Sequence, residues 1–227
     1  MAPHASVSRS ASLAQDAIAA RAILRNDVPP SAPLGAVQHF AQDREIFSEG
    51  NATEYYYKIV SGVVRTCKFL VDGRRQIDAF YTAGDIFGFE PESAHRFSAE
   101  AVTDSTMIAY RKGRPDVLGS GDGPLSQELL SFAMGGMARA QAHSLLLGRR
   151  SALEKVAGFL MDWAKRSPDH QIVNLAMTRQ DIADYLGLTI ETVSRTLTQL
   201  ERDRVIDLPS ARLIRLRNPD TLEELAG

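Results

Sequence analysis

Cysteine occurs once in the 227 residues, at Cys67. A single thiol cannot build a disulfide framework, nor supply a structural zinc site of several cysteines. No stretch approaches the ~20 apolar residues that span a bilayer. The first residues have no continuous apolar run either, because Gln15, Asp16, Arg21 and Arg25 interrupt it. A cytoplasmic chain without a membrane partner is the expectation. The P-loop, G-x-S-x-G and H-E-x-x-H patterns are all missing. His39, His95 and His143 lack the close partners that metal ligation needs. No catalytic residue, cofactor or metal is therefore expected, and the chain is not read as an enzyme. Excess charge is lacking too: the formal net charge is −2. From Ser151 to Gly227, ten Lys and Arg stand against twelve Asp and Glu. That balance excludes a protein that coats nucleic acid generally, and any nucleic-acid contact must use a locally clustered face.

The hydrophobic share of 44% is ordinary for a folded chain, and the length suits two modest domains. Residues 1–34 are rich in Ala, Ser and Pro and read as a loosely ordered tail. Leu13–Leu24 is long enough there for a short helix, ended by Pro29, Pro30 and Pro33. Short strands are then predicted at Glu45–Phe47, Tyr55–Val60, Gly62–Leu70, Gln76–Tyr81 and Thr106–Tyr110, from their β-branched and aromatic residues. Turn glycines at Gly50, Gly62, Gly73 and Gly84 separate them, and Val71-Asp72-Gly73 reads as a hairpin tip. Cys67 sits mid-strand, as expected of a buried structural thiol.

A helical pattern follows from Pro124 to Leu147. Leu130, Ala133, Met137, Ala140, Ser144 and Leu147 recur at steps of three and four, the spacing of a seam between two helices. The alternative is a helix packed on its own strands through Leu129, Phe132 and Met134. Gly135-Gly136 weakens the helix by ~1–2 kcal/mol and permits a kink. Gly148 provides a hinge, and Ser151 with Glu154 three residues on can cap the next helix, whose apolar side is Val156, Phe159, Leu160 and Trp163.

The richest stretch is MTRQDIADYLGLTIETVSRTLTQLERD, from Met177 to Asp203. Thr178 and Asp181 can cap a first helix, with Ile182, Ala183 and Leu186 facing inward. Gly187 can end that helix in the left-handed conformation, and Thr189 can cap a second. In the second helix Val193, Leu197 and Leu200 point to a core. Glu191, Ser194 and Arg195 share another side, near the helix start. An arginine fork matches the O6 and N7 of guanine, a carboxylate accepts from the amino group of cytosine, and free N–H groups at a helix start hold phosphate. An ordinary helical hairpin with a solvated face would not need this combination of caps, small residue, glycine and polar triad. Beyond it, Val205–Leu208 and Leu213–Leu216 read as two strands around Pro209-Ser210-Ala211. Arg212, Arg215 and Arg217 there either touch phosphates or stay solvated.

LGLTIETVSRTLTQLE resembles the winged helix-turn-helix of the CRP/FNR family of bacterial transcription regulators. IETVSR is similar to its FNR and FixK branches, whose recognition helix carries E-x-x-S-R. In the cyclic-AMP-responsive branch, R-E-T-x-G-R stands where this chain has Ile190 and Ser194 in place of Arg and Gly. LGRRSALEKVAGFL resembles the family's inter-domain segment, and GDIFGFE, Gly84–Glu90, resembles its cyclic-nucleotide-binding-type β-roll. The likeness extends over roughly Phe47–Leu216. It implies an α+β chain in four parts: the tail at 1–34, a double-stranded β-roll at 35–122, a dimerisation helix and hinge at 123–148, and a winged helix-turn-helix at 149–227. It implies a homodimer paired through the Leu130–Leu147 seam, with double-stranded DNA and RNA polymerase as partners. The expected DNA-binding set is Thr178, Arg179, Thr189, Ile190, Glu191, Thr192, Ser194 and Arg195, with base reading by Glu191, Ser194 and Arg195 on TTGA-type half-sites in inverted repeat. Activation is the expected outcome, with the hairpin around Asp72–Arg75 as a candidate polymerase surface.

Two features of the family are not matched. The N-terminal cysteines that hold an iron–sulfur cluster in FNR are absent here. The family's nucleotide pocket reads roughly G-E-L followed by R-S-A. This chain has Gly88-Phe89-Glu90-Pro91 and then Arg96-Phe97-Ser98-Ala99. Phe89 stands at the carboxylate position, Pro91 removes an N–H donor, and the Arg and Ser are no longer adjacent. A roll without a working nucleotide pocket is expected, Glu90 and Arg96 being polar loop residues. The alternative is a small effector, cyclic nucleotide or other, gating the protein from the roll.

Overall fold

The computed structural model describes residues 35–112, 124–149, 151–167 and 169–227, with only the helical backbone over 124–129. The expected tail, its Leu13–Leu24 helix and the side chain of Leu129 lie outside the described residues. The described chain forms two compact units. One holds the residues up to Lys68 with those from Phe80 to Gly135; the other holds Phe69–Ala79 with Gly136–Gly227. The division falls inside the long helix, at its Gly-Gly pair, and takes the hairpin tip with the C-terminal residues. The four-part division expected above follows the chain, whereas these units follow packing.

The strands are β1 (Ala36–Phe40), β2 (Glu45–Phe47), β3 (Tyr55–Ser61), β4 (Val64–Phe69), β5 (Arg75–Tyr81), β6 (Ile86–Phe87), β7 (Ser98–Ala101) and β8 (Ser105–Arg111). They form two four-stranded sheets, ordered β1-β8-β3-β6 and β2-β7-β4-β5. Phe47, Tyr57, Ile59, Val64, Phe87, Ala99, Met107 and Ala109 make the core between them. Each fully buried large apolar side chain contributes roughly 1.5–3 kcal/mol by leaving water. Alternation alone would put Tyr56 and Tyr57 on opposite faces, one wet. Both are buried, because Tyr56, Ile86, Ile108 and Tyr110 form a second cluster, covered by Phe132 from the following helix.

Strands β1, β6 and β7 were not legible in the sequence. Strand β7, Ser98-Ala99-Glu100-Ala101, has no β-branched or aromatic residue. It is a strand because Ala99 and Ala101 fit the core with no exposed surface, and because Glu100 accepts a 2.7 Å bond from the Arg65 guanidinium on β4. Gly62 turns β3 into β4 with φ of 94°. A Cβ there would lie 2.2 Å from the Ser105 hydroxyl and 2.6 Å from the Asp104 carbonyl oxygen, so no other residue fits. Cys67 is buried, as expected.

Helix α1 spans Pro124–Leu147 without interruption at Gly135-Gly136. Within it Phe132 packs on the roll, while Met134 is 55% exposed and does not. Of the expected seam, Leu130, Ala133, Met137, Ala140 and Ser144 are exposed and Leu147 is half-buried. Leu145, one residue past Ser144 and outside that series, is 75% exposed.

The C-terminal part contains α2 (Ala152–Arg166), β9 (Ile172–Asn174), α3 (Arg179–Leu186), α4 (Ile190–Arg202), β10 (Ile206–Asp207), β11 (Leu213–Leu216) and α5 (Pro219–Ala226). Ser151 caps α2 by accepting the Glu154 N–H, as its spacing predicts. The expected two-stranded wing is a three-stranded sheet ordered β10-β11-β9. The third strand pairs Val173 with Ile214, and both side chains are fully buried. The terminal helix α5 was also missed. Its signal is present in Asn218-Pro219, since Asn218 accepts the Thr221 N–H and Pro occupies the first turn. Among the described residues no helix is long and apolar enough to cross a membrane.

Candidate nucleic-acid interface

Helix α3 starts on a complete capping box. The Thr178 hydroxyl accepts the Asp181 N–H at 3.1 Å, and the Asp181 carboxylate accepts the Thr178 N–H at 2.9 Å. The same carboxylate accepts the Thr178 O–H at 2.8 Å. Ile182, Ala183 and Leu186 are buried, as their spacing predicts. Gly187 ends the helix at φ 62° and ψ 42°. The N–H of Leu188 then returns to the Ala183 carbonyl at 3.0 Å, which closes the turn.

Thr189 starts α4 by accepting the Thr192 N–H at 3.2 Å. Val193, Thr196, Leu197 and Leu200 face inward. Glu191, Ser194 and Arg195 are all exposed, on one side of the helix. Exposed Thr198, Gln199 and Arg202 extend that side. With Ser194 and Arg195 these three line a shallow concavity. The expected DNA-binding set ends at Arg195, although Thr198 and Arg202 continue the same spacing of three and four residues.

The Glu191 carboxyl lies below the usual carboxylate range because its own backbone N–H and the Thr189 hydroxyl bond to it, and the Arg195 charge adds to this. It is ionised at neutral pH and stays an acceptor as pH falls, until its lowered value is reached. Discrimination at any base pair that Glu191 contacts should therefore be flat from mildly alkaline to mildly acidic pH. Anisotropy titrations of matched and mismatched duplexes across that range check this; a loss of discrimination in the range of an ordinary carboxyl would refute it.

The remaining expected contacts divide. Ile190 is exposed. Thr178 donates both its N–H and its hydroxyl to Asp181 at the helix start. Arg179 is half-buried, and its Nη1 is shielded from solvent without a hydrogen-bond partner. Burial of this guanidinium lowers its pKa. On the wing, Arg217 donates to Asp207 at 2.6 Å, while Arg212 and Arg215 are exposed.

The loop Gly88–Ala99 is closed by its own side chains. The Glu90 carboxylate accepts the Arg96 N–H at 2.9 Å and lies 3.1 Å from His95 Nδ1. His95 is buried and stacks on Phe47 at 3.6 Å. Lys112 donates to the carbonyls of Glu90 and Glu92 and to the Thr53 hydroxyl. Phe89 meets Tyr56 edge-on at 5.4 Å. Glu90 is thus the hub that organises the loop, more than the plain polar loop residue expected. Among the described residues no cluster of His, Cys, Asp or Glu could hold a metal ion.

Residues 154–225 match the model of the Crp-like helix-turn-helix domain, and residues 37–114 that of the cyclic nucleotide-binding domain. The nitrogen fixation regulation protein FixK of Azorhizobium caulinodans is 47% identical over 199 residues, covering 86% of this chain and 80% of that protein. The protein of the same name from Rhizobium meliloti is 43% identical, covering 88% and 90%. The chain belongs to the CRP/FNR family, in its FixK-like branch. The solved structure of FixK2 from Bradyrhizobium japonicum superimposes with a TM-score of 0.80 at 39% identity, covering 86% of this chain and 98% of that one. This FixK-like chain is accordingly a DNA-binding transcription regulator, and the relatives that share its fold are regulators. The exposed triad on α4 lies in the helix-turn-helix region of the family match.

Proposed function

We propose that this FixK-like regulator acts as a homodimer that reads inverted TTGA-type half-sites without a bound effector, and that it activates transcription. The observation that carries the reading is the exposed Glu191–Ser194–Arg195 face in the first turns of α4, where a recognition helix meets base edges. Arg195 reads a guanine, Glu191 the cytosine edge of a G·C pair, and Ser194 a neighbouring thymine or phosphate. The seam that pairs two copies is Leu130, Ala133, Met137, Ala140, Ser144 and Leu147 on α1, all exposed except the half-buried Leu147. Pairing sets two α4 helices about one helical turn, ~34 Å, apart on DNA. The self-closed loop around Glu90 supports a roll that acts as scaffold. Activation, with RNA polymerase as the partner, is supported by the 40% identity to the transcriptional activatory protein AadR of Rhodopseudomonas palustris.

The test is fluorescence anisotropy of the purified, ligand-free protein on a duplex carrying TTGA and TCAA as an inverted pair, beside a scrambled duplex, with and without cyclic AMP. Selective binding without ligand is expected. Selectivity that needs cyclic AMP would replace this reading with an effector-gated one. Affinity on both duplexes should fall steeply with salt, through release of ions from the phosphates.

A further inference from the structure

Arg75, the first residue of β5, lies just past the hairpin tip, in the same compact unit as α3 and α4. The hairpin was expected to offer Asp72–Arg75 as one exposed surface. Its residues instead separate. Asp72 and Arg74 pair with each other at 2.7 Å, and Val71 is fully exposed at the tip. Arg75 turns away to α3. Its Nε donates to Asp184 at 2.8 Å and its Nη2 to Asp181 at 2.5 Å. The side chains of Arg75, Asp181 and Asp184 are 18%, 2% and 12% exposed, so solvent screens this bridge little.

Asp181 and Asp184 are three residues apart and share one side of α3. The rigid guanidinium fork spans both, which the single ammonium of a lysine cannot do at the same geometry. Asp181 uses its other oxygen in the capping box with Thr178. One carboxylate thus ties the start of α3 to the hairpin. The other end of α3 is joined to α4 by only three residues, Gly187-Leu188-Thr189, so the placement of α3 limits that of α4. A buried ion pair contributes little net stability, because desolvation offsets attraction. Its fixed geometry is what remains to be explained.

We propose that Arg75 is a positioning residue for DNA reading: by clamping Asp181 and Asp184 it holds α3, and through the short turn α4, in the arrangement that reads DNA. This rests on α4 being the recognition helix. Arg75 itself makes no base contact in this mechanism. Its role is expressed in discrimination between sequences, since phosphate attraction at the surface tolerates small changes in helix placement.

The test uses the full-length protein and its R75Q, R75K and D184N variants, and R75Q combined with D184N. Binding is measured on the matched and scrambled duplexes, with the unfolding midpoint recorded for each variant. R75Q should lose ~tenfold on the matched duplex and less than ~twofold on the scrambled one, a change within the usual range for coupling between sites. R75K, which keeps the charge without the fork, should fall between wild type and R75Q. With D184N already present, R75Q should cost less than it does alone, as coupled groups are not additive. Matched binding within ~twofold of wild type, or equal loss on both duplexes, would overturn the proposal. Should R75Q fail to fold, R75K and D184N carry the same comparison. Wild type that does not discriminate would overturn the reading of α4. The clamp is then judged by amide exchange, and unchanged protection from Thr178 to Thr192 in R75Q would overturn it.

Discussion

On the proposed pairing, Met137→Glu should give a monomer and lower affinity for an inverted-repeat duplex by ~10²-fold or more, because the avidity of two linked sites is lost. Met137 is 51% exposed on the single chain and lies amid Leu130, Met134 and Leu145, which are exposed by 65%, 55% and 75%. Several large apolar side chains exposed on one helix are normally covered. The opposite side of the helix is already occupied, by Phe132 in the roll's second cluster and by buried His143 and Leu146. In the proposed pairing the glutamate would meet its counterpart across the seam and be desolvated beside a like charge. The single chain should fold as before, since Met137 supports none of its buried core. Light scattering and anisotropy together check this. A dimer that persists in the variant would place the interface elsewhere, and a monomer with unchanged DNA affinity would remove the need for pairing.

Arg195→Ala should weaken binding to the matched duplex by ~1–3 kcal/mol per contacted base pair, ~5- to 150-fold, and flatten discrimination at one position. Its side chain is exposed on α4 and takes no part in the buried face of Val193, Thr196, Leu197 and Leu200. The unfolding midpoint should therefore hardly move. Binding to the scrambled duplex should fall less, by the share of one phosphate-facing charge. A panel of duplexes substituted one base pair at a time separates the outcomes. Discrimination lost at one position assigns that base to Arg195; equal losses across the panel would make Arg195 a phosphate contact.

The helix-turn-helix was legible in the chain because its determinants are local. Thr178 with Asp181, Gly187 at its positive φ, and Thr189 act within four residues of their own positions, and spacing alone sorts buried Val193, Leu197 and Leu200 from exposed Glu191, Ser194 and Arg195. The same holds for the Ser151 cap and for the length of α1. Strand β7 was not legible, since alanines and a glutamate become a strand only between β2 and β4. Strand β9 likewise needs Ile214, which pairs with Val173 from 41 residues onward in the chain. Glu90 was read as a loop residue because its partners, Arg96 and His95, reach it through a fold of the loop that spacing does not encode.

What the sequence by itself determined is the set of local conformations and the chemistry of the exposed α4 face, because caps, turns and helical periodicity depend on neighbours within a turn or two. The tertiary structure decided which polar groups are committed to holding the fold. Asp181 reads as a helix cap from its spacing, and only packing reveals that its second oxygen holds Arg75, 106 residues away. Pairings at such separation follow from the burial of apolar faces on distant strands and helices. Local sequence carries no record of which charge will be brought opposite which.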